Sequence, residues 1–336
     1  MNILKKKTGV YYLVNAVLVA ALFLVLIIVI NTGTLNGYYT DILTFALINI
    51  VLAVSLNLVT GILGQLVLGH AGFMLVGAYA AALFTKNSGL PLDVAFPIGL
   101  VLSGLFAAIC GVVIGLPALR LRGDYLAIIT LGFGEIIRVI ANNLEITNGA
   151  MGLRGIDSLS NRNNPGAMFT YAFFIAVVVI FLMFTFVRSR HGRAVISIRE
   201  DEIAAESMGI NTTYYKMFAF VLAAFIAGIA GGVYAHHVGV IDPAKFDFNR
   251  SVEILIMVVL GGMGSITGSI ISASVLTILP ELLREFSQYR MLIYSIILIC
   301  LMLFKPSGLL GRYEISVPRL LHAFIRKIKN KKSGEV

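Results

Sequence analysis

Charge is scarce in this sequence, and that scarcity sets the class of protein. Charged residues make up 13% of the 336 residues and hydrophobic residues 58%, whereas about 25% of residues are charged in soluble domains. The mean hydropathy is +0.92. This composition excludes an ordinary soluble domain. It predicts an all-α, polytopic membrane helix bundle with room for about ten spans, or roughly 8 to 10.

Several residue types and motifs that support chemistry are also missing. Tryptophan is absent, and the two cysteines, Cys110 and Cys300, fall inside apolar runs, so no disulfide framework is expected. No Gly-Lys dipeptide occurs, which excludes the usual phosphate-binding loop, and no HExxH motif or Ser/His/Asp grouping is present. We therefore expect no catalytic residue, metal site or cofactor in this chain. Any ATP must be bound by another chain.

Apolar runs long enough to cross about 30 Å of hydrocarbon follow one another along the sequence. Residues 252–279 are also apolar but contain GGMGSITG at 261–268. Glycines at the middle of a run predict two short spans or a re-entrant pair instead of one helix. The other predicted spans are 10–30, 42–60, 66–84, 94–116, 125–142, 169–187, 217–238 and 291–304.

Basic residues orient these spans. The net charge of +9 would favour nucleic acid in a soluble chain, but in a membrane protein Lys and Arg mark cytoplasmic loops, and no nucleic-acid partner is expected. With a cytoplasmic amino terminus and ten crossings, 18 of the 26 Lys and Arg residues fall in the cytoplasm. Both termini are therefore predicted there. The expected organisation is a tail at 1–9, one transmembrane domain at 10–311 and a basic tail at 312–336.

One long hydrophilic segment, 191–211, lies between two apolar runs and reads HGRAVISIREDEIAAESMGIN. Its acids at 200–202 precede an apolar stretch that Gly209 follows. This pattern predicts a short helix of about two turns, with acids in its first turn and a glycine stop. The segment belongs to a predicted cytoplasmic loop, 188–213, and we expect it to dock another protein.

Small and polar residues inside the spans indicate where helices approach closely. Within 217–238 small residues repeat every four positions on two adjacent strips, which predicts backbone-to-backbone packing. Glycines at 61–77 and 261–268 are typical of broken helices that line transport pathways. Glu135 and Arg138 are spaced to form an ion pair, with a proton relay as the alternative. The candidate pathway-lining residues are Asn49, Asn57, Gln65, His70, Thr130, Glu135, Gly261, Gly262 and Gly264, although interhelical hydrogen bonding would explain each polar one singly.

Five blocks of the sequence resemble the signature blocks of the branched-chain amino acid ABC transporter permeases. Their order and spacing are similar to that family from about residue 40 to 311, and two of them, RLRGDY and TNGAMGLRGI, resemble the LivM branch more than the LivH branch. The sequence departs from the family pattern at Asn148, where a second glycine is common, and at Ser269, where proline is common. The blocks are GQLVLGHAGFMLVGAYAAAL from Gly64, LRLRGDYLAIITLGFGEIIR from Leu119, TNGAMGLRGI from Thr147, GRAVISIREDEIAAESMGIN from Gly192 and SVEILIMVVLGGMGSITGSIISA from Ser251.

The resemblance implies a multi-pass permease in a bacterial plasma membrane, surrounded by lipid, that imports leucine, isoleucine or valine. Its implied partners are a second, LivH-like permease, two cytoplasmic ATPases that hold ATP and Mg²⁺, and an extracytoplasmic solute-binding protein. The resemblance also implies that 192–211 couples the permease to the ATPases. The residues to which we carry over this coupling role are Gly192, Arg193, Arg199, Glu200, Asp201, Glu202, Ala204, Ala205 and Gly209.

Three alternatives stay open on the sequence alone. Urea and short-chain amide permeases share the same blocks. An ion-driven secondary transporter would need acids within the membrane, of which Glu135 and Glu253 are a thin supply. A membrane-embedded enzyme would need a catalytic grouping, which is missing.

Overall fold

The computed structural model describes residues 2–33, 35–121, 123–160, 166–284, 289, 292–293, 295–296, 299, 303–305, 307–311 and 313–314, with side chains described from residue 17 onward. The described residues divide into two compact units. One holds those within 1–36 together with Glu314, and the other holds those within 37–313. Half of the residues in the predicted span 291–304 lie outside the described residues.

The first unit contains helix α1, Asn2–Asn31. Its sequence has no proline and is almost wholly apolar from residue 17, so nothing interrupts the helical hydrogen bonds. Gly33, with a φ of 71°, follows the helix, in the left-handed conformation that commonly ends helices. The predicted span 10–30 lies within α1.

The second unit contains ten described helices, which confirms the all-α prediction. A π-helical turn, Leu58–Ile62, continues α2, and 3₁₀ turns occupy Gly149–Met151 and Pro243–Phe246. Two short strands, β1 at Leu153–Arg154 and β2 at Val240–Ile241, pair antiparallel with Leu153 opposite Ile241. The helices are α2 Gly37–Asn57, α3 His70–Asn87, α4 Leu92–Ala118, α5 Asp124–Asn143, α6 Ala167–Arg188, α7 Arg190–Glu200, α8 Glu202–Ser207, α9 Thr212–Val238, α10 Phe248–Gly261 and α11 Ile266–Leu282.

Most predicted spans coincide with helices. Within the described part of the chain, four helices are long and apolar enough to cross a membrane: Gly37–Ile62, Leu92–Ala118, Ala167–Arg188 and Thr212–Val238. The prediction of a break in 252–279 is confirmed, since α10 and α11 are separate helices. The predicted start of the third span at residue 66 is wrong, because α3 begins at His70. Gly64, which precedes α3, has a φ of 80°, and this value takes the chain out of helical geometry before His70.

Helix α9 forms the centre of the second unit, where it packs against α2, α3 and α4. Its small residues make this possible, as the four-residue spacing predicted. A Cβ atom added to Gly231 would lie 2.9 Å from the backbone nitrogen of Ala78, and one on Gly77 would overlap the backbone of Gly228. The helices therefore touch backbone to backbone, and their side chains exclude voids around the contact.

The second unit has two opposite ends. Helices α7 and α8 lie at one end, and the β1–β2 pair lies at the other, which we call the sheet end. Helix α9 joins them, because α8 precedes its first residue and β2 follows its last. Its 27 residues correspond to about 40 Å at 1.5 Å per residue. At the sheet end the His237 ring lies 3.9 Å from the Asp41 carboxylate of α2.

Candidate functional site

The hydrophilic segment folds as two short helices because polar side chains cap each of them. The Ser189 hydroxyl accepts a hydrogen bond from the Gly192 N–H at 3.1 Å and starts α7. The Asp201 carboxylate accepts from the N–H groups of Ile203 and Ala204, at 2.9 and 3.0 Å, and starts α8. Such caps satisfy the free N–H groups of a first helical turn.

The sequence prediction for this segment needs one correction. A short helix before Gly209 is confirmed, and Gly209 has a φ of 82°. However, the three acids do not share its first turn: Glu200 ends α7, Asp201 is the cap, and Glu202 begins α8. The helix at 190–200 was not predicted, although its buried residues, Gly192, Val195 and Ile198, recur every three positions, a spacing that is typical of a helix.

The predicted coupling residues divide into packed and exposed groups. Gly192 and Ala205 are buried, and a Cβ on Gly192 would overlap the carbonyl of Phe186 at the end of α6. These two residues hold the segment on the bundle. Residues with exposed side chains or backbone are available to a docking partner; they are Arg193, Glu200, Asp201, Ala204 and Gly209.

Two exposed apolar side chains on α8 and just after it were missed in the list of coupling residues. Ile203 is 70% exposed and Met208 is 83% exposed. The sequence placed them in a short helix without showing which side is buried, and Ala205 is the one buried residue of α8. Exposed apolar groups next to charged ones are typical of protein interaction surfaces.

Arg199 connects α7 to the end of α2. Its Nη1 donates a hydrogen bond of 2.9 Å to the carbonyl oxygen of Gly61 in the π-helical turn. Its Nε and Nη2 bond the Glu200 carboxylate at 3.1 and 2.5 Å. The chain leaves the helix after Ile62, so the Gly61 carbonyl is among those without a helical partner. The guanidinium supplies that partner.

Glycines let the break between α10 and α11 approach the same point. A Cβ on Gly264 would lie 3.1 Å from Arg199 Nη1 and 3.2 Å from the Gly61 oxygen. A Cβ on Gly64 would lie 2.6 Å from Arg199 Cγ, so the arginine stem passes directly over Gly64. We call Gly61, Gly64, Arg199 and Gly264 the Arg199 junction. It joins α7 to two interrupted helices.

Asn57 holds the junction together from within α2. Its side chain is fully buried, and its Nδ2 donates to the Ser265 carbonyl at 3.0 Å while its Oδ1 accepts from the Gly264 N–H at 2.8 Å. Both bonds go to backbone groups in the break: the Gly264 N–H has no helical partner, and the Ser265 carbonyl also accepts from the Ser269 N–H at the start of α11. The side-chain amide thus substitutes for missing helical hydrogen bonds.

Glu202 has a partner inside the protein. Its carboxylate lies 2.7 Å from the Lys216 ammonium of α9, and the Lys216 side chain is only 5% exposed. The pair fixes the start of α8 against the first turns of α9. Glu202, which the sequence assigned to docking, therefore also has a structural role.

The remaining pathway candidates lie elsewhere. His70 Nε2 is 2.8 Å from Ser55 Oγ, and Thr130 Oγ1 accepts from the Leu68 N–H at 3.1 Å. Glu135 pairs with Arg138 at 2.6 Å, which confirms the predicted spacing. Asn49 lies midway along Gly37–Ile62, where its Nδ2 donates to Thr277 Oγ1 of α11 at 2.9 Å. Asn57, Gly261, Gly262 and Gly264 are thus brought together around the α10–α11 break, and Gln65 directly follows Gly64 of the Arg199 junction. The other candidates lie elsewhere.

Two polar atoms beside the junction lack partners within the described part of the chain. They are Thr60 Oγ1 and Gln65 Oε1, which flank the end of the π-helical turn and are shielded from solvent. Buried polar atoms without partners cost free energy. Across the described residues no group of three His, Cys, Asp or Glu side chains is placed to hold a metal ion.

The departure from the family pattern at Asn148 has a structural explanation. Asn148 has a φ of 62°, which makes it the one non-glycine residue with positive φ in the described chain. Asparagine adopts this conformation more readily than other non-glycine residues, and its Nδ2 also donates to the Gly152 carbonyl at 3.0 Å. Asn148 therefore substitutes for a glycine. Ser269, in the first turns of α11, donates to the Ser265 carbonyl at 3.1 Å.

The apolar helices and the interrupted helices are those of an integral membrane protein of the permease class. Residues 38–304 match the family described as branched-chain amino acid transport system, permease component. The chain belongs to this family, so the resemblance seen in the sequence is confirmed, and the family comprises transporter subunits and not enzymes.

Individual relatives support the same family assignment. The chain is 39% identical over 298 residues to the LivM permease of a high-affinity branched-chain amino acid transport system in Salmonella typhimurium, covering 80% of this chain and 69% of the relative. The LivM permease of Escherichia coli gives the same identity and coverage. The chain is also 29% identical over 294 residues to the LivH permease of Escherichia coli, covering 81% and 92%. No solved structure matches the chain.

Proposed function

We propose that this chain is a permease subunit of an ATP-driven importer that carries leucine, isoleucine and valine into the cell. The observation that supports it most is the Arg199 junction, which ties a short exposed helix pair to two interrupted helices. Relatives named as branched-chain amino acid permeases support the substrate class.

In this proposal α7 and α8 are the coupling element. Exposed Ile203 and Met208, beside exposed Arg193 and Glu200, offer an apolar centre with a charged rim to a cleft in an ATPase. When the ATPases close, α7 moves with them. Because Arg199 bonds the Gly61 carbonyl, that motion reaches the ends of α2 and α10 and alters the path between them.

The proposed topology has about ten crossings with both termini in the cytoplasm. The tail at 1–9 and the basic tail at 312–336 flank a transmembrane domain at 10–311, whose coupling loop is 188–213. The positive-inside rule supports this arrangement. So does the placement of β1 and β2 at one end and α7 and α8 at the other, since successive helices then alternate in direction.

The proposed assembly pairs this chain with a homologous LivH-like permease, and both LivM and LivH relatives match it. Two cytoplasmic ATPases would hold ATP and Mg²⁺, and an extracytoplasmic solute-binding protein would deliver the substrate. The chain itself would bind no cofactor. The complex would lie in a bacterial plasma membrane as a multi-pass protein.

Reconstitution tests the function directly. The complete complex in vesicles should accumulate leucine with ATP inside, retain that activity with an uncoupler, and lose it without ATP. Persistence without ATP and collapse with the uncoupler would instead show a secondary transporter. Urea and acetamide serve as competitors, and efficient competition by either would favour the amide-permease alternative.

Labelling tests the orientation. In a background without Cys110 and Cys300, Met208→Cys should react with an impermeant maleimide only from the cytoplasmic side. Met151→Cys, which is 76% exposed in the loop between α5 and β1, should react only from outside. Labelling of Met208→Cys from outside would contradict the coupling role.

A further inference from the structure

A cavity of about 320 Å³ lies at the sheet end, away from the Arg199 junction. It is bounded by α2, α3, α9, the 3₁₀ turn before α10, and α10 and α11. Pockets for drug-sized ligands have volumes of roughly 300–1,000 Å³, so this one suits a small molecule. No coupling residue lines it, and Asn49 is the one pathway candidate that does.

One wall of the cavity is aromatic. The Phe45 ring centre lies 6.1 Å from that of Tyr234, which lies 5.4 Å from that of Phe246. These three rings, contributed by α2, α9 and the 3₁₀ turn, form a continuous surface that an aliphatic side chain can cover. The wall favours a ligand with an apolar part.

Two cations line the cavity as well. Arg250 is held in place, because its Nη2 donates to Asn49 Oδ1 at 2.6 Å and its Nη1 to the Glu253 carboxylate at 2.8 Å. A guanidinium has five N–H donors, so three remain. The Lys245 ammonium has no acceptor among the described residues, and it lines the same cavity. Together they favour a carboxylate.

An acid completes the lining. Glu281 belongs to the cavity, and its Oε1 is 3.5 Å from Nη1 of Arg284, whose side chain is 64% exposed. Exposed pairs of this kind are weak, so the Glu281 carboxylate can accept from an ammonium group. Cations, an acid and an apolar wall in one small cavity match both ends and the side chain of an aliphatic amino acid.

We propose that this cavity binds a zwitterionic α-amino acid with an apolar side chain. Lys245 and Arg250 take its carboxylate, Glu281 its ammonium, and Phe45 and Phe246 its side chain. The inference rests on the proposed function and adds to it a substrate site within the permease, at the end opposite the coupling helices. Substrate would be held there after release from a binding protein.

Equilibrium binding of radiolabelled leucine to the nucleotide-free complex, in lipid nanodiscs and without the binding protein, tests the site. Lys245→Met and Glu281→Gln should each weaken binding about tenfold, as expected for loss of a charged hydrogen bond. Lys86→Met and Asp93→Asn are matched controls, since both lie at the same end outside the cavity, and should bind as the wild type does. Monodisperse elution of each variant complex reports its folding.

Competition by leucine analogues shows which charged groups of the ligand the cavity recognises. 4-Methylpentanoate lacks the ammonium group and 3-methylbutylamine lacks the carboxylate, so each should compete about tenfold more weakly than leucine. If 4-methylpentanoate competes as well as leucine, the cavity is an anion site and the proposal is overturned. Wild-type affinity in Lys245→Met and Glu281→Gln overturns it too.

ATP-driven leucine uptake by the wild-type complex, with its binding protein, distinguishes failure of the cavity proposal from failure of the proposed function. Uptake without detectable leucine binding in the nanodisc assay overturns the cavity proposal alone. Absence of uptake overturns the proposed function and the cavity proposal with it.

Discussion

The α3–α4–α9 core and the Arg199 junction both depend on glycine, but they use it differently. In the core, Gly77 and Gly231 remove side chains so that helices touch. In the junction, Gly64 and Gly264 supply positive φ values and leave room for an arginine. The core is buried and tightly packed, whereas the junction is held by a few directional hydrogen bonds. Packed interiors resist deformation, so motion driven from α7 should be taken up at the junction.

Overpacking the core should have the largest effect on stability. Gly231→Ala places a Cβ against the backbone of Met74 and Ala78, and backbone atoms cannot move aside cheaply, so we expect a loss of more than about 3 kcal/mol. Thermal unfolding in detergent measures it. Gly132→Ala in α5 is the matched control, because its added Cβ meets nothing within 4 Å. Equal unfolding midpoints for the two variants would contradict the account of the core.

Removing the amide at the break should have the next largest effect. Asn57→Ala leaves the Gly264 N–H without its partner and removes one of the hydrogen bonds to the Ser265 carbonyl, which keeps the Ser269 N–H. We expect this change to cost about 2–3 kcal/mol. The same unfolding assay applies. Asn143→Ala, which removes an exposed bond at the end of α5, should change stability by less than about 0.5 kcal/mol. If Asn57→Ala changed stability as little as Asn143→Ala does, the junction would not depend on the Asn57 side chain.

Separating α8 from α9 should have a smaller effect. Glu202→Gln leaves the buried Lys216 ammonium without its counter-charge. Since the Glu202 side chain is 25% exposed, we expect about 1–2 kcal/mol, less than for a fully buried pair. Adding Lys216→Met should recover most of that loss, and Glu206→Gln, on the exposed side of α8, should cost little. Failure of Lys216→Met to recover stability would show that the pair is not the cause.

Much of the fold follows from local signals in the sequence. Apolar runs predict α2, α4, α6 and α9, and the glycines at 261–268 predict the break between α10 and α11. Small-residue strips predict the close packing of α9. Each signal acts within one helix or one turn, so no knowledge of distant contacts is needed.

The site is less predictable, because its contacts join residues far apart in sequence. Arg199 meets Gly61 across 138 positions and Asn57 meets Gly264 across 207. Spacing places Asn57 inside a span and Arg199 in the hydrophilic segment, but it cannot show that they share a junction. Exposure of Ile203 and Met208 was missed for a different, local reason. A six-residue helix is too short for its apolar positions to reveal which side is buried.

The coupling of ATP hydrolysis to uptake tests the central claim most directly. Arg199→Gln removes the charged bond to Gly61 while leaving the core untouched, so we expect little change in the unfolding midpoint. We expect the number of ATP molecules hydrolysed per leucine imported, measured in vesicles, to rise about tenfold, within the usual range of coupling free energies. Arg190→Gln, on an exposed residue of α7, should leave that ratio unchanged. A wild-type ratio in Arg199→Gln would contradict the claim that α7 acts on the membrane helices through this junction.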